Sequence, residues 1–168
     1  MIVVNHEGRS HMKRILVTGA TGQIGTELTR ELRLRPGVEI VLASSLYRPQ
    51  DDAIHHWDPF EELDVTDRDS LDRVLNQYQI DTVFHLAAQA IVGVANRNAV
   101  STWQSNVAGT WSLMEACRRS PRVKQIVTAS SDKAYGSHDK LPYREDMPLA
   151  AIHPYDVSKA CSDLIAQS

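Results

Sequence analysis

Ile15-Leu16-Val17-Thr18-Gly19-Ala20-Thr21-Gly22-Gln23-Ile24-Gly25 decides how this chain is read: an apolar, β-branched run breaks into three glycines at three-residue spacing. The run reads as a buried first strand, the glycines as a tight turn, and Gln23 onward as a helix, since Ile24, Leu28 and Leu32 recur at helical spacing. Gly19 lets the chain leave the strand in a conformation that a Cβ would hinder, and Gly22 lets backbone approach a pyrophosphate. Gly25 lets the helix lie close against the strand. The unpaired N–H groups of the helix start, with the positive end of its dipole, then form an anion site made of backbone. Glycine-rich turns also join strands to helices for purely structural reasons, so the rest of the chain has to carry the assignment.

The 168 residues suffice for one domain with a real core. Hydrophobic residues make up 42% and charged residues 23%, which argues against both a disordered chain and a membrane protein. A net charge of -3 offers no broad attraction to nucleic acid or anionic lipid, which leaves small ligands held at local sites. Cys117 and Cys161 lack metal-site or disulfide-framework spacing and read as buried or half-buried thiols of a reducing, cytoplasmic setting. Residues 1–12 lack a signal-peptide core and read as a flexible leader before a domain spanning 13–168.

After the turn, the first helix runs from about Gln23 to Leu34 and stops before Pro36-Gly37. Val38 to Ala43 is the second strand. At its end an acidic residue usually holds the adenosine ribose of NAD, about twenty residues past the glycines. Here Ser44-Ser45 stand there with Arg48 nearby, which leaves NAD and NADP both open. Tyr47 to Pro59 reads as a long loop whose His55-His56 pair has no third ligand at metal-site spacing. Phe60 to Leu63 reads as a third strand, Asp64 as a candidate partner of the adenine amino group, and Thr66 or Asp67 as the cap of a helix reaching Tyr78. Ile80 to Gln89 is a fourth strand with its exit, where the small Ala87 and Ala88 would let a flat ligand lie against the strand's carboxyl end; His85 reads as a core histidine. One long helix from Ala99 to Arg119 and a fifth strand from Val123 to Ala129 follow. This alternation implies right-handed crossovers and a three-layer, doubly wound α/β fold with a parallel sheet.

Ser130-Ser131-Asp132-Lys133 follows the fifth strand directly, and His153-Pro154-Tyr155-Asp156-Val157-Ser158-Lys159 opens a later helix. Tyr155 and Lys159 are four residues apart and so share a helix face. A lysine ammonium near a phenol favours the phenolate, which makes Tyr155 usable as an acid/base, with Ser131 offering a hydroxyl to the same substrate oxygen.

Gly19-x-x-Gly22-x-x-Gly25, Asp64-Val65, His85-Leu86-Ala87-Ala88, Asn106-Val107-x-Gly109-Thr110, Ser130-Ser131 and Tyr155-x-x-x-Lys159 stand in one order. That order resembles the extended short-chain dehydrogenases/reductases, specifically the NAD-dependent epimerase/dehydratase family, over nearly everything from Lys13 onward. The resemblance implies a Rossmann-like fold, NAD as cofactor with NADP not excluded, a nucleotide-sugar substrate, and a homodimer with no nucleic acid or membrane partner. The cofactor-binding set it implies is Gly19, Thr21, Gly22, Gln23, Ile24, Gly25, Ser45, Asp64, Val65, Leu86, Ala87, Ala88 and Asn106, with Tyr155 and Lys159. Tyr155 is implied as base, Lys159 as the group that lowers its pKa and holds the nicotinamide ribose, and Ser131 as the group that orients the substrate hydroxyl.

Within the family, the part from Gln89 onward looks like CDP-glucose 4,6-dehydratases through Ser131-Asp132-Lys133, which implies that Asp132 and Lys133 are acid/base partners in loss of water from the sugar's C6. The segments 22–28 and 63–67 look instead like short-chain L-threonine 3-dehydrogenase, so an amino-acid dehydrogenase is a second reading, and a dinucleotide-binding module without catalysis is a third. Family members carry further strands and a smaller C-terminal substrate domain after the Tyr/Lys helix; the chain continues only to Ser168, so it is expected to be the cofactor half of such an enzyme.

Overall fold

A computed structural model describes residues 12–46 and 58–168. All of the expected leader but Met12, together with Tyr47, Arg48 and the His55-His56 pair, lies outside the described residues.

The strands β1 (Lys13–Thr18), β2 (Val38–Ser44), β3 (Phe60–Glu62), β4 (Thr82–His85) and β5 (Gln125–Thr128) form one parallel sheet in the order β3-β2-β1-β4-β5. β1 lies at the centre, and four consecutive residues from Ile15 to Thr18 are buried, as a strand covered on both faces requires. The helix α1 (Gln23–Arg33) covers one face through Leu28 and Leu32 over Ile15, Val17, Ile40 and Leu42. On the other face, α2 (Arg68–Gln77) and α5 (Gly109–Arg119) bring Leu71, Val74, Leu75, Leu113 and Ala116 onto Leu16, Val41 and Val83. This is the doubly wound three-layer fold that the sequence implies.

Local chemistry sets the element boundaries. Gly37, at φ +74°, turns the chain after α1, and its carbonyl accepts the Lys13 N–H at the start of β1. Asp67 caps α2 by accepting the Ser70 N–H and hydroxyl, so the cap falls to Asp67 of the two candidates. Pro154 occupies the first turn of α6 (Pro154–Gln167), where a missing N–H costs nothing.

The long helix expected from Ala99 to Arg119 is corrected in one respect. It consists of α4 (Ala99–Trp103), a π-helical turn at Gln104–Ala108, and α5. A short helix, α3 (Val92–Arg97), precedes it where no element was expected. At the β5 edge, the neighbours Ile126 and Val127 point to opposite faces and remain 36% and 41% exposed.

Candidate functional site

The glycine turn is built as its spacing demands. Gly19 has φ +68°, and a Cβ there would sit 2.7 Å from the backbone of Leu86 and Ala87 at the exit of β4. A Cβ on Gly25 would lie 2.3 Å from the Gly19 carbonyl oxygen, so α1 meets the turn backbone to backbone. At Gly22 the crowding is milder, 3.3 Å from the same oxygen, and Gly22 caps α1 without a side-chain hydrogen bond. The Gln23, Ile24 and Gly25 N–H groups of the first helical turn therefore have no intrahelical partner and no side-chain cap, and Ile24 stands 67% exposed beside them. Thr21 Oγ1 bonds Ser44 Oγ at 2.8 Å, which ties the turn to the end of β2, while Ser45 is exposed beyond it.

Asp64 Oδ1 accepts both the N–H and the hydroxyl of Thr66, each at 2.8 Å, which shapes the loop after β3. Val65 is buried beneath α5: a Cβ on Gly109 would meet its Cγ2 at 2.6 Å. The Asp64-Val65 and Asn106-x-x-Gly109 motifs thus meet in space through one missing Cβ.

Beneath the turn lies a buried network that the sequence does not announce. Thr18 Oγ1 accepts the Leu86 and Ala87 N–H groups at 3.3 Å and lies 2.9 Å from His85 Nδ1; His85 Nε2 lies 3.1 Å from Thr110 Oγ1, whose hydroxyl donates to the Asn106 carbonyl. These partners assign the tautomer: Thr18 donates to Nδ1, and Nε2 carries the proton toward Thr110. Burial, with the Lys159 charge as a second cause, pushes the His85 pKa down to about 4. Between pH 6.5 and 4 the unfolded chain takes up a proton that the folded chain refuses, so His85 alone removes about 1.4 kcal/mol of stability per pH unit, about 3 kcal/mol in all. Urea unfolding of the protein and of His85→Gln at pH 7 and pH 4.5 checks this; the variant loses that share of the slope, and equal slopes refute it.

Asn106 is the hub between the cofactor side and α6. It is buried within the π-helical turn; its Oδ1 accepts the Gln89 N–H at 2.7 Å and its Nδ2 donates to Ser158 Oγ at 2.9 Å. Its carbonyl also receives the Ser162 hydroxyl at 2.8 Å. Asn106 thus lines the cavity between the ends of β4 and β5 while its amide braces the β4 exit against α6. Sequence reading missed Asn96 on α3, whose Oδ1 accepts the Tyr155 N–H at 3.0 Å and anchors the start of α6; a lone asparagine in an unforeseen helix gives no signal.

Tyr155 and Lys159 share the buried face of α6, at 8% and 6% exposure. Lys159 Nζ donates to the Ala129 carbonyl just past β5 at 2.5 Å and, with Leu86, Ala87, Ala88 and Thr128, lines a small cavity between the ends of β4 and β5. Burial pulls the Lys159 pKa below its usual value, with Asp163 partly opposing. The Tyr155 backbone is held on both sides, its N–H by Asn96 and its carbonyl by the Ser158 hydroxyl at 2.7 Å. Its phenol oxygen makes no hydrogen bond among the described residues. Ser131 caps the short 3-10 helix Asp132–Tyr135, accepting the Lys133 N–H at 3.2 Å, and that helix packs against α6. Asp132 and Lys133 are exposed on it. The sheet end thus has the glycine turn and the start of α1 on one side and, between the ends of β4 and β5, the small cavity lined by Ala87, Ala88 and Lys159.

Among the described residues, no group of acidic, histidine or cysteine side chains could hold a metal ion, and no helix is long and apolar enough to cross a membrane.

An uncharacterized epimerase/dehydratase of Staphylococcus haemolyticus is 34% identical over 160 residues, covering 93% of this chain and 48% of that protein. Among solved structures, the UDP-glucose 4-epimerase of Thermotoga maritima with UDP-glucose superposes with a TM-score of 0.83 at 27% identity, over 92% of this chain and 50% of that one. The dTDP-glucose 4,6-dehydratase of Streptomyces venezuelae, solved with NAD, gives 0.81 at 32% identity over the same shares. The chain spans about half the length of these relatives. The sequence model of the NAD dependent epimerase/dehydratase family matches residues 15–168, which takes in the cradle, the β4 exit and the Tyr155/Lys159 helix alike. On that match, and with the geometry its motifs demand present at the sheet end, the chain belongs to the NAD-dependent epimerase/dehydratase family.

Proposed function

We propose that this chain is the cofactor-binding and catalytic half of an enzyme that oxidises a hydroxyl of a nucleotide sugar on the way to epimerisation or dehydration. The observation that carries the reading is the Tyr155 phenol, without a hydrogen bond among the described residues and set on α6 one turn from Lys159, whose Nζ donates to the Ala129 carbonyl. NAD fits the cradle, because the glycines let β1, the β4 exit and α1 meet backbone to backbone and so set the first N–H groups of α1 at the turn for a pyrophosphate; when bound, it supplies the acceptor for the electrons withdrawn from the sugar carbon.

The chain's own groups do the rest. The Gln23, Ile24 and Gly25 amides hold the pyrophosphate, and Ala87 and Ala88 leave room for a flat ring. The Tyr155 phenolate, stabilised by the Lys159 ammonium, takes the proton of the sugar hydroxyl as its carbon is oxidised and becomes the neutral phenol, while the Ser131 hydroxyl orients the substrate oxygen. Asp132 and Lys133, exposed on the short helix against α6, are placed to exchange protons in a later loss of water.

Supplying the purified protein with NAD and, separately, CDP-glucose, UDP-glucose, dTDP-glucose and L-threonine tests the reading, with products followed by mass spectrometry and absorbance at the nicotinamide band. A nucleotide sugar converted to its C4 epimer or to a 4-keto-6-deoxy product supports it. Turnover of threonine alone overturns it in favour of an amino-acid dehydrogenase.

A further inference from the structure

The end of β2 departs from what discrimination between the two nicotinamide dinucleotides requires. A fold that selects the unphosphorylated ribose places a carboxylate there, which accepts from the ribose hydroxyls and repels a 2′-phosphate. Here the place holds two serines. Ser44, the last residue of β2, is buried, and its Oγ is engaged by Thr21 Oγ1 at 2.8 Å and by the Leu46 N–H at 3.1 Å; it braces the glycine turn. Ser45 is exposed and is the first side chain beyond the strand.

Among the described residues, the carboxylates of β3 and the loop after it are otherwise disposed. Glu61 accepts from Arg73 Nη2 at 2.8 Å and from the Tyr78 hydroxyl at 2.7 Å, on the α2 side. Asp64 Oδ1 is occupied by Thr66. Glu62 is exposed, in register with Ser44 but one strand further from the cradle. A serine hydroxyl, unlike a carboxylate, both donates and accepts, so it can meet a ribose hydroxyl or a phosphate oxygen equally well.

We propose that the adenosine end of this site takes a dinucleotide with or without a 2′-phosphate, because Ser45 stands where the discriminating carboxylate would stand. The proposal rests on the reading of the glycine turn as a dinucleotide cradle. Titrating the purified protein with NAD and with NADP, by calorimetry and by the thermal unfolding midpoint, tests both. The expected result is two dissociation constants within tenfold of each other, and a Ser45→Asp variant in which NADP weakens at least tenfold relative to NAD. Ser45 is exposed, so the variant folds, and its unfolding midpoint without nucleotide verifies that. NADP more than tenfold weaker than NAD in the parent protein overturns the proposal and leaves the dinucleotide reading standing, with Glu62 as the group that discriminates. Similar affinities that Ser45→Asp shifts by less than tenfold overturn the role given to Ser45. Binding of neither nucleotide overturns the cradle itself and the proposal with it.

Discussion

Tyr155→Phe lowers kcat with a nucleotide sugar by about 10²- to 10⁴-fold, the span of a positioned acid/base, with KM and fold stability nearly unchanged. The change is a clean deletion because the phenol oxygen makes no hydrogen bond among the described residues, so removing it leaves no buried partner unpaired. The ring's packing and the Asn96 and Ser158 bonds to the Tyr155 backbone all persist in phenylalanine. Single-turnover kinetics with a saturating sugar and the unfolding midpoint, read together, check this. A variant that keeps more than a tenth of the parent rate removes Tyr155 from the proton transfer, and one that loses stability as well reveals a structural role.

Gly25→Ala carries the second large effect, on folding and on nucleotide binding together. The added methyl falls 2.3 Å from the Gly19 oxygen and 2.8 Å from Ala20 Cα, backbone that has no rotamer to yield. Overpacking of this kind costs about 3 kcal/mol or more, and the better helix propensity of alanine returns only about 1 kcal/mol. The net loss of about 2 kcal/mol lowers Tm by about 4–8 °C for a chain of this size. The rise expected with NAD, about 2.7 kcal/mol at a hundredfold excess over its dissociation constant, shrinks or disappears because the cradle has been pushed open. Gly93→Ala, with nothing within 4 Å of the new methyl, is the control and keeps both stability and binding. Thermal unfolding of the three proteins with and without NAD makes the comparison; a Gly25→Ala protein as stable as its parent contradicts the packing described here.

The parts legible in sequence are those where one residue type has one physical reason to be present. The three glycines could be placed because no other residue satisfies the approaches of β1, β4 and α1, and Tyr155 with Lys159 because helical spacing puts both on one face. The motif marks Asn106 as a needed polar group, but that its amide bonds Gln89 and Ser158 could not be read from it, because both partners lie on other segments. The π-helical turn leaves no mark in the local sequence; the Asn106 carbonyl within it accepts a local bond from the Thr110 hydroxyl and a tertiary one from Ser162, far along the chain. The Thr18–His85–Thr110 chain was half visible. His85 was placed in the core correctly, but its two threonine partners lie on other elements, 67 and 25 residues away.

The strand order also governs how the protein is made. β1 leaves the ribosome before the other described strands of the sheet, and its partner on the β4 side follows about 67 residues later, the separation of Thr18 from His85. At about 5–20 residues per second, some 3–13 seconds of synthesis pass in which the central strand of the sheet has only β2 beside it. A nascent chain in this interval offers one open edge of β1, the kind of unpaired edge that templates pairing with another chain, until β4 arrives to close the ladder.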